Sequence, residues 1–122
     1  MAVSRPKALR ILVVEDDFLV GLQLEQDLDA EGHSVLGPFA SLASATEAAS
    51  REAFDLAILD VNLRGQPVYP LADELLARGL PVILLTGYQL SDLPERFRAT
   101  PHVAKPYDPR RLAQAIARPG IA

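Results

Sequence analysis

A chain of 122 residues with a net charge of −4 and 49% apolar residues is bounded to one globular domain with a sizeable core. The absence of cysteine excludes disulfides, thiolate nucleophiles and cysteine metal sites, and two histidines, His33 and His102, are too few and too scattered for zinc. The acidic balance, with Arg110-Arg111 the only adjacent basic pair, argues against nucleic acid, and no stretch reaches signal-peptide or membrane-spanning length, so a cytoplasmic protein without membrane contact is expected.

In chain order, residues 1–8 read as a tail and residues 9–14 as a short apolar, β-branched strand that stops at Glu15-Asp16-Asp17. Phe18, Leu19, Leu22, Leu24 and Leu28 recur at helical spacing up to Gly32, in the C-cap position. Val35 and Leu36 form a short second strand, broken by Gly37-Pro38. Ser41 is then the N-cap of a helix striped with Leu42, Ala45, Ala48 and Ala49, running to about Glu52. Leu56 to Leu59 is a buried strand that ends abruptly at Asp60 and opens into a loop through Asn62 and Gly65.

Leu71, Leu75 and Leu76 mark a third helix closed by Gly79, with Pro70 tolerated in its first turn. Residues 81–85 form a fourth buried strand ending at Thr86-Gly87. Pro94 and Pro101 leave any fourth helix short or irregular. A brief fifth strand around Val103-Ala104 runs into Lys105-Pro106, and Asp108 with Pro109 opens a last helix through Leu112, Ala115 and Ile116. Residues 119–122 read as a second tail, so residues 1–122 are expected to be a single domain with no output domain attached. Continuous apolar strands alternating with helices predict an α/β, flavodoxin-like, doubly wound five-stranded parallel sheet of order 2-1-3-4-5.

Functional groups of such a sheet gather at the carboxyl ends of its strands. Here those ends carry Glu15, Asp16 and Asp17, then Asp60, then Thr86, then Lys105. Each part alone has a plain alternative: a strand or turn cap for Asp60, a helix-dipole partner for the acidic triplet, a turn residue for Thr86. Together they are specific. Neighbouring strands lie roughly 4.8 Å apart, so carboxylates from the first and third strands reach a shared cation, and oxygen ligands select a hard ion, Mg²⁺. Lys105, two strands from Asp60 and on the order of 10 Å away, needs its long side chain to reach it. With Thr86 in front, the pocket suits a phosphoryl group attacked in line by Asp60.

On residues 11–17, 56–63, 82–87 and 103–106, and on the 44-residue gap from Asp16 to Asp60, the chain resembles the receiver domain of bacterial two-component response regulators over essentially its whole length. The resemblance implies that Asp60 is the phosphoacceptor and that Glu15, Asp16 and Asp60 hold Mg²⁺ together with the backbone carbonyl of Asn62. Thr86 and Lys105 would contact the phosphoryl group, and the Lys105–Pro106 bond would be cis. It further implies a stand-alone phosphoacceptor module, not an enzyme in the usual sense. A sensor histidine kinase or histidine phosphotransfer protein would phosphorylate it, and it would act on a downstream protein or as a phosphate sink.

Residues 62–65, 69–72 and 86–88 resemble more narrowly a set of single-domain alphaproteobacterial receivers with a Phe-Ala-Thr-Gly-Tyr segment, although Leu84 and Leu85 stand at its first two positions. His102 stands where receivers usually carry a switching Tyr or Phe, so Tyr88 and His102 are the candidate switch residues. Two other readings fit the fold less well. A small aspartyl-phosphate-forming phosphatase would want an acid/base Asp where Asn62 stands. A flavin module would want hydroxyls and amides where Glu15, Asp16 and Asp17 stand.

Overall fold

In the computed structural model of this chain, the described residues are 8–87 and 93–118. The tails, apart from residue 8, and the switch candidate Tyr88 lie outside them.

Five strands, β1 (Arg10–Val14), β2 (Ser34–Phe39), β3 (Leu56–Asp60), β6 (Val82–Thr86) and β7 (His102–Ala104), form one parallel sheet in the order β2-β1-β3-β6-β7. This is the expected order 2-1-3-4-5, with a two-stranded hairpin of β4 (Asn62–Leu63) and β5 (Gln66–Pro67) inserted after β3. Every residue of β3 and β6 is buried. Alternation along the strands explains why neither face can meet water. Leu12, Val14, Leu59 and Leu84 pack on the face covered by α2 (Leu42–Arg51) and α3 (Tyr69–Ala77). Ile11, Val13, Ile58, Ile83 and Leu85 pack on the opposite face, under α1 (Phe18–Ala30) and α4 (Pro109–Ile116).

Helix starts follow local chemistry. Asp17 caps α1 by accepting from the amides of Leu19 and Val20, Ser41 caps α2 by accepting from Ser44, and Asp108 caps α4 by accepting from Arg110. Asp17, counted among the acidic triplet, therefore serves as a helix cap.

One local expectation is corrected. The second strand runs on through Gly37-Pro38 to Phe39, with a register irregularity opposite β1. An edge strand tolerates a proline because its outer side donates to no neighbour, and Gly37 supplies the unusual backbone, φ +108°, with Val13 O and Phe39 N so close that a Cβ would lie 2.8 Å from each. On α1, Leu24 and Leu28 are buried, but Phe18, Leu19 and Leu22 are 70%, 75% and 39% exposed, so the apolar stripe extends onto the surface. After β6, the described part of the expected irregular helix is one 3₁₀ turn, Glu95–Phe97. Buried Phe97 stacks on Tyr69 at 5.1 Å, and Arg96 forks onto both carboxylate oxygens of Asp73 at 3.1 and 3.0 Å, which clamps that turn to α3.

Candidate functional site

Parallel strands with register Val14↔Leu59 and Asp60↔Leu85 bring their carboxyl ends to one rim of the sheet. Glu15 follows β1 and is fixed there by its own amide, which donates to Phe39 O at 2.9 Å. Asp60 ends β3, Thr86 ends β6, and Lys105 follows β7, its amide donating to Thr86 O at 2.9 Å. Glu15, Asp60 and Thr86 are buried, while Asp16 and Lys105 are partly exposed.

Glu15, Asp16 and Asp60 each offer an oxygen, and the three oxygens lie within 4.8 Å of one another. Lys105 Nζ lies 3.2 Å from Asp60 Oδ2, where it donates a hydrogen bond, and 2.8 Å from Glu15 Oε1. The two-strand gap is thus bridged by the lysine stem, as its length requires. Asn62 is exposed, and its backbone amide donates to Asp60 Oδ1 at 3.2 Å. An open cleft of about 430 Å³, lined by Asp16, Asp60, Asn62, Gly87 and Lys105, lies in front of Asp60. His102, by contrast, sits exposed at the start of β7 with Nδ1 3.3 Å from Thr100 O, and the structure does not bring it into this cleft.

One lysine facing three carboxylates leaves the rim electrostatically unbalanced. Burial, then hydrogen bonding with Asp60, pushes the Glu15 carboxyl up to about 7. Burial also pushes Asp16 up, but hydrogen bonds with Glu15 and Asp60 outweigh it and hold Asp16 below the ordinary aspartate value. Burial disfavours the Lys105 charge, and Glu15 with Asp60 more than offset this, so the ammonium titrates above its usual range.

Glu15 Oε1 is buried and meets no donor at hydrogen-bonding geometry; the Lys105 ammonium beside it is a charge contact only. An orphaned, buried carboxylate oxygen beside two further acids is what a hard divalent cation satisfies, so the donor set fits Mg²⁺.

Two further features shape the rim and its surroundings. Arg64 and Gly65, φ 53° and 84°, form the two-residue turn of the β4–β5 hairpin, and Asn62 Oδ1 accepts from the Gly65 amide at 2.7 Å. That turn holds Arg64 Nε 3.8 Å from Asp16 Oδ2, at the rim of the acidic cluster. The legible signal was Gly65 in a two-residue loop. Second, the Tyr107 hydroxyl donates to Asp27 Oδ2 at 2.5 Å, tying the loop after Lys105 to α1.

The profile of the response regulator receiver domain matches residues 11–117. The chain belongs to that family. This receiver domain is 31% identical over 111 residues to the transcriptional regulatory protein PdtaR of Mycobacterium tuberculosis, covering 88% of this chain and 54% of that protein. It thus spans about half the length of that relative. Among solved structures, SdrG from Sphingomonas melonis Fr1 superposes with a TM-score of 0.81 at 35% identity, covering 90% of this chain and 94% of SdrG. The response regulator PhyR from Brucella abortus superposes with a TM-score of 0.80 at 26% identity, covering 92% of this chain and 47% of PhyR. Receiver domains are signalling modules of two-component systems and bind Mg²⁺ at an acidic pocket. No helix among the described residues is long and apolar enough to cross a membrane.

Proposed function

We propose that this receiver domain is a phosphoacceptor module, phosphorylated on Asp60 by a histidine kinase or histidine phosphotransfer protein, that signals through protein contacts or drains phosphoryl groups from a shared kinase. The observation that carries this reading is Lys105 Nζ 3.2 Å from Asp60 Oδ2, with Glu15 and Asp16 within one cation's reach of the same carboxylate. Asp60 Oδ1 accepts from the Asn62 backbone amide, and Asp60 lines the cleft. In the transfer, an Asp60 oxygen forms the new bond to phosphorus as the bond from phosphorus to the donor nitrogen breaks, and the leaving imidazole keeps that electron pair. Lys105 meets the charge on the phosphoryl oxygens, and Thr86, at the end of the adjacent strand, offers its hydroxyl to the same group. Glu15, Asp16, Asp60 and the Asn62 carbonyl would hold Mg²⁺, which when bound neutralises charge on the phosphoryl oxygens.

Acetyl phosphate with Mg²⁺ tests this. Intact-mass spectrometry should show one added phosphoryl group on the parent chain and none on Asp60→Asn, which keeps the shape and removes the nucleophile. Equal labelling of the variant would place the acceptor elsewhere.

A further inference from the structure

The β4–β5 turn carries an arginine where the backbone favours a smaller residue. Arg64 holds φ 53°, in the left-handed region, where glycine or asparagine sits with little strain and a long side chain is uncommon. Gly65 follows at φ 84°, and Asn62 Oδ1 accepts from its amide at 2.7 Å, so the turn is fastened to the residue two places after Asp60. That fastening presents Arg64 to one carboxylate. Its Nε lies 3.8 Å from Asp16 Oδ2, too long for a hydrogen bond, which makes the pair a charge contact only.

The acidic rim is thus met by different cations on two sides. Lys105 Nζ serves Glu15 and Asp60, while Arg64 serves Asp16. Arg64 reaches Asp16 from a neighbouring cleft of about 330 Å³, bounded also by Phe18, Leu22 and Pro38. Asp16 belongs to the walls of both this cleft and the one in front of Asp60. The guanidinium therefore draws on a carboxylate that the cation site also uses, without lining the phosphoryl cleft itself.

Charge decides which cation Asp16 keeps. When ionised, Glu15, Asp16 and Asp60 bring three negative charges, which Lys105 and one divalent cation match. A guanidinium still seated on Asp16 would add an uncompensated positive charge a few ångströms from that cation, and like charges repel.

We propose that Arg64 is a tethered competitor of the divalent cation for Asp16: its guanidinium leaves Oδ2 as the site fills, so Arg64 lowers the cation affinity of the site. The pair is suited to release, because an exposed ion pair at this separation is weak. The inference rests on the function proposed above only in taking Glu15, Asp16 and Asp60 as the cation site, and it needs no phosphoryl transfer.

A Mg²⁺ titration of the full, unphosphorylated chain, followed by amide shifts near Asp60, compares the parent with Arg64→Asn and Arg64→Lys. Asparagine accepts the left-handed backbone and removes the charge, and the side chain it replaces is 76% exposed, so the hairpin is kept. The Mg²⁺ dissociation constant should fall about two- to fivefold in Arg64→Asn, the range of an exposed ion pair, and stay near the parent's in Arg64→Lys. The difference between parent and Arg64→Asn should shrink at high salt, which screens exposed charges. In the parent, the Arg64 Nε–H signal should move toward that of a solvated arginine as Mg²⁺ saturates.

Weaker Mg²⁺ binding in Arg64→Asn would overturn the inference, because Arg64 would then orient Asp16 for the metal. Equal affinity in the two chains, an Arg64→Lys chain that behaves like Arg64→Asn, a difference unaffected by salt, or an unmoved Nε–H signal would overturn it as well. Failure of Asp60 to take a phosphoryl group would remove the phosphoacceptor reading without altering any of these titrations, so the two failures are distinguishable. A parent chain that binds no Mg²⁺ would overturn this inference.

Discussion

Replacing Glu15 by Gln should stabilise the metal-free chain at pH 8 by about 3 kcal/mol. Gln keeps the shape of Glu15 and copies its protonated form. The Glu15 carboxyl titrates near 7 in the folded chain against an ordinary 4.5, a difference of two to three pH units. Each unit corresponds to about 1.4 kcal/mol, so keeping Glu15 ionised in the fold costs about 3 kcal/mol. The cost arises because its side chain is fully buried and one ammonium serves two carboxylates, which leaves Oε1 without a donor. A folded-state value raised above the unfolded one favours the native state below the unfolded value, and that advantage is lost as pH rises through the folded value. The variant should therefore match the parent near pH 4 and exceed it above about pH 7. For a domain of this size the gain is a rise in Tm of about 10 °C.

The chain has no tryptophan, so urea unfolding followed by far-UV circular dichroism, in a chelator, is the assay. Saturating Mg²⁺ should stabilise the parent more than the variant. A variant no more stable than the parent at pH 8, or a gain that persists at pH 4, would refute the reasoning.

Asp16→Ala should weaken Mg²⁺ binding at least tenfold, about 1.4 kcal/mol, read from amide shifts near Asp60 during a Mg²⁺ titration; unchanged affinity would remove Asp16 from the shared cation site. His33, at the far end of β1, is buried with Nδ1 accepting from the Leu9 amide at 3.0 Å, and burial holds it below its ordinary value near 6.5 against the opposing pull of Glu31. A depressed folded value means the unfolded chain takes up the proton first. Its contribution is then present above pH 6.5 and lost as pH falls through the folded value, and His33→Gln should remove that slope in urea unfolding between pH 7 and 5. Gly37→Ala should destabilise the chain by about 1–3 kcal/mol and loosen β2 from β1 in hydrogen exchange, because a Cβ would meet Val13 O and Phe39 N at 2.8 Å.

Much of the site was legible because it is periodic. A strand alternates with period two and a parallel sheet aligns carboxyl ends, so the order Glu15-Asp16, Asp60, Thr86, Lys105 implied a shared rim before any distance was known. Caps at Ser41 and Asp108 were legible for the same kind of reason, since each is satisfied within three residues. What the sequence could not determine depends on groups far apart in the chain. Lys105 meets Glu15 Oε1 only because the sheet brings the ends of β1 and β7 close enough for one side chain to span, and Glu15 titrates near 7 only because that same packing buries it. Phe18, Leu19 and Leu22 share the spacing of Leu24 and Leu28, yet they are exposed, because periodicity marks a stripe without saying how much of it the sheet covers. Proline at position 38 broke the strand pattern locally, but the place of β2 at the edge of the sheet made it acceptable. His33 reads in the sequence like any loop histidine. Its ring nitrogen becomes a buried acceptor because the amide of Leu9 has no other partner there, and a backbone donor left in the core must be met by whatever side chain the fold places beside it.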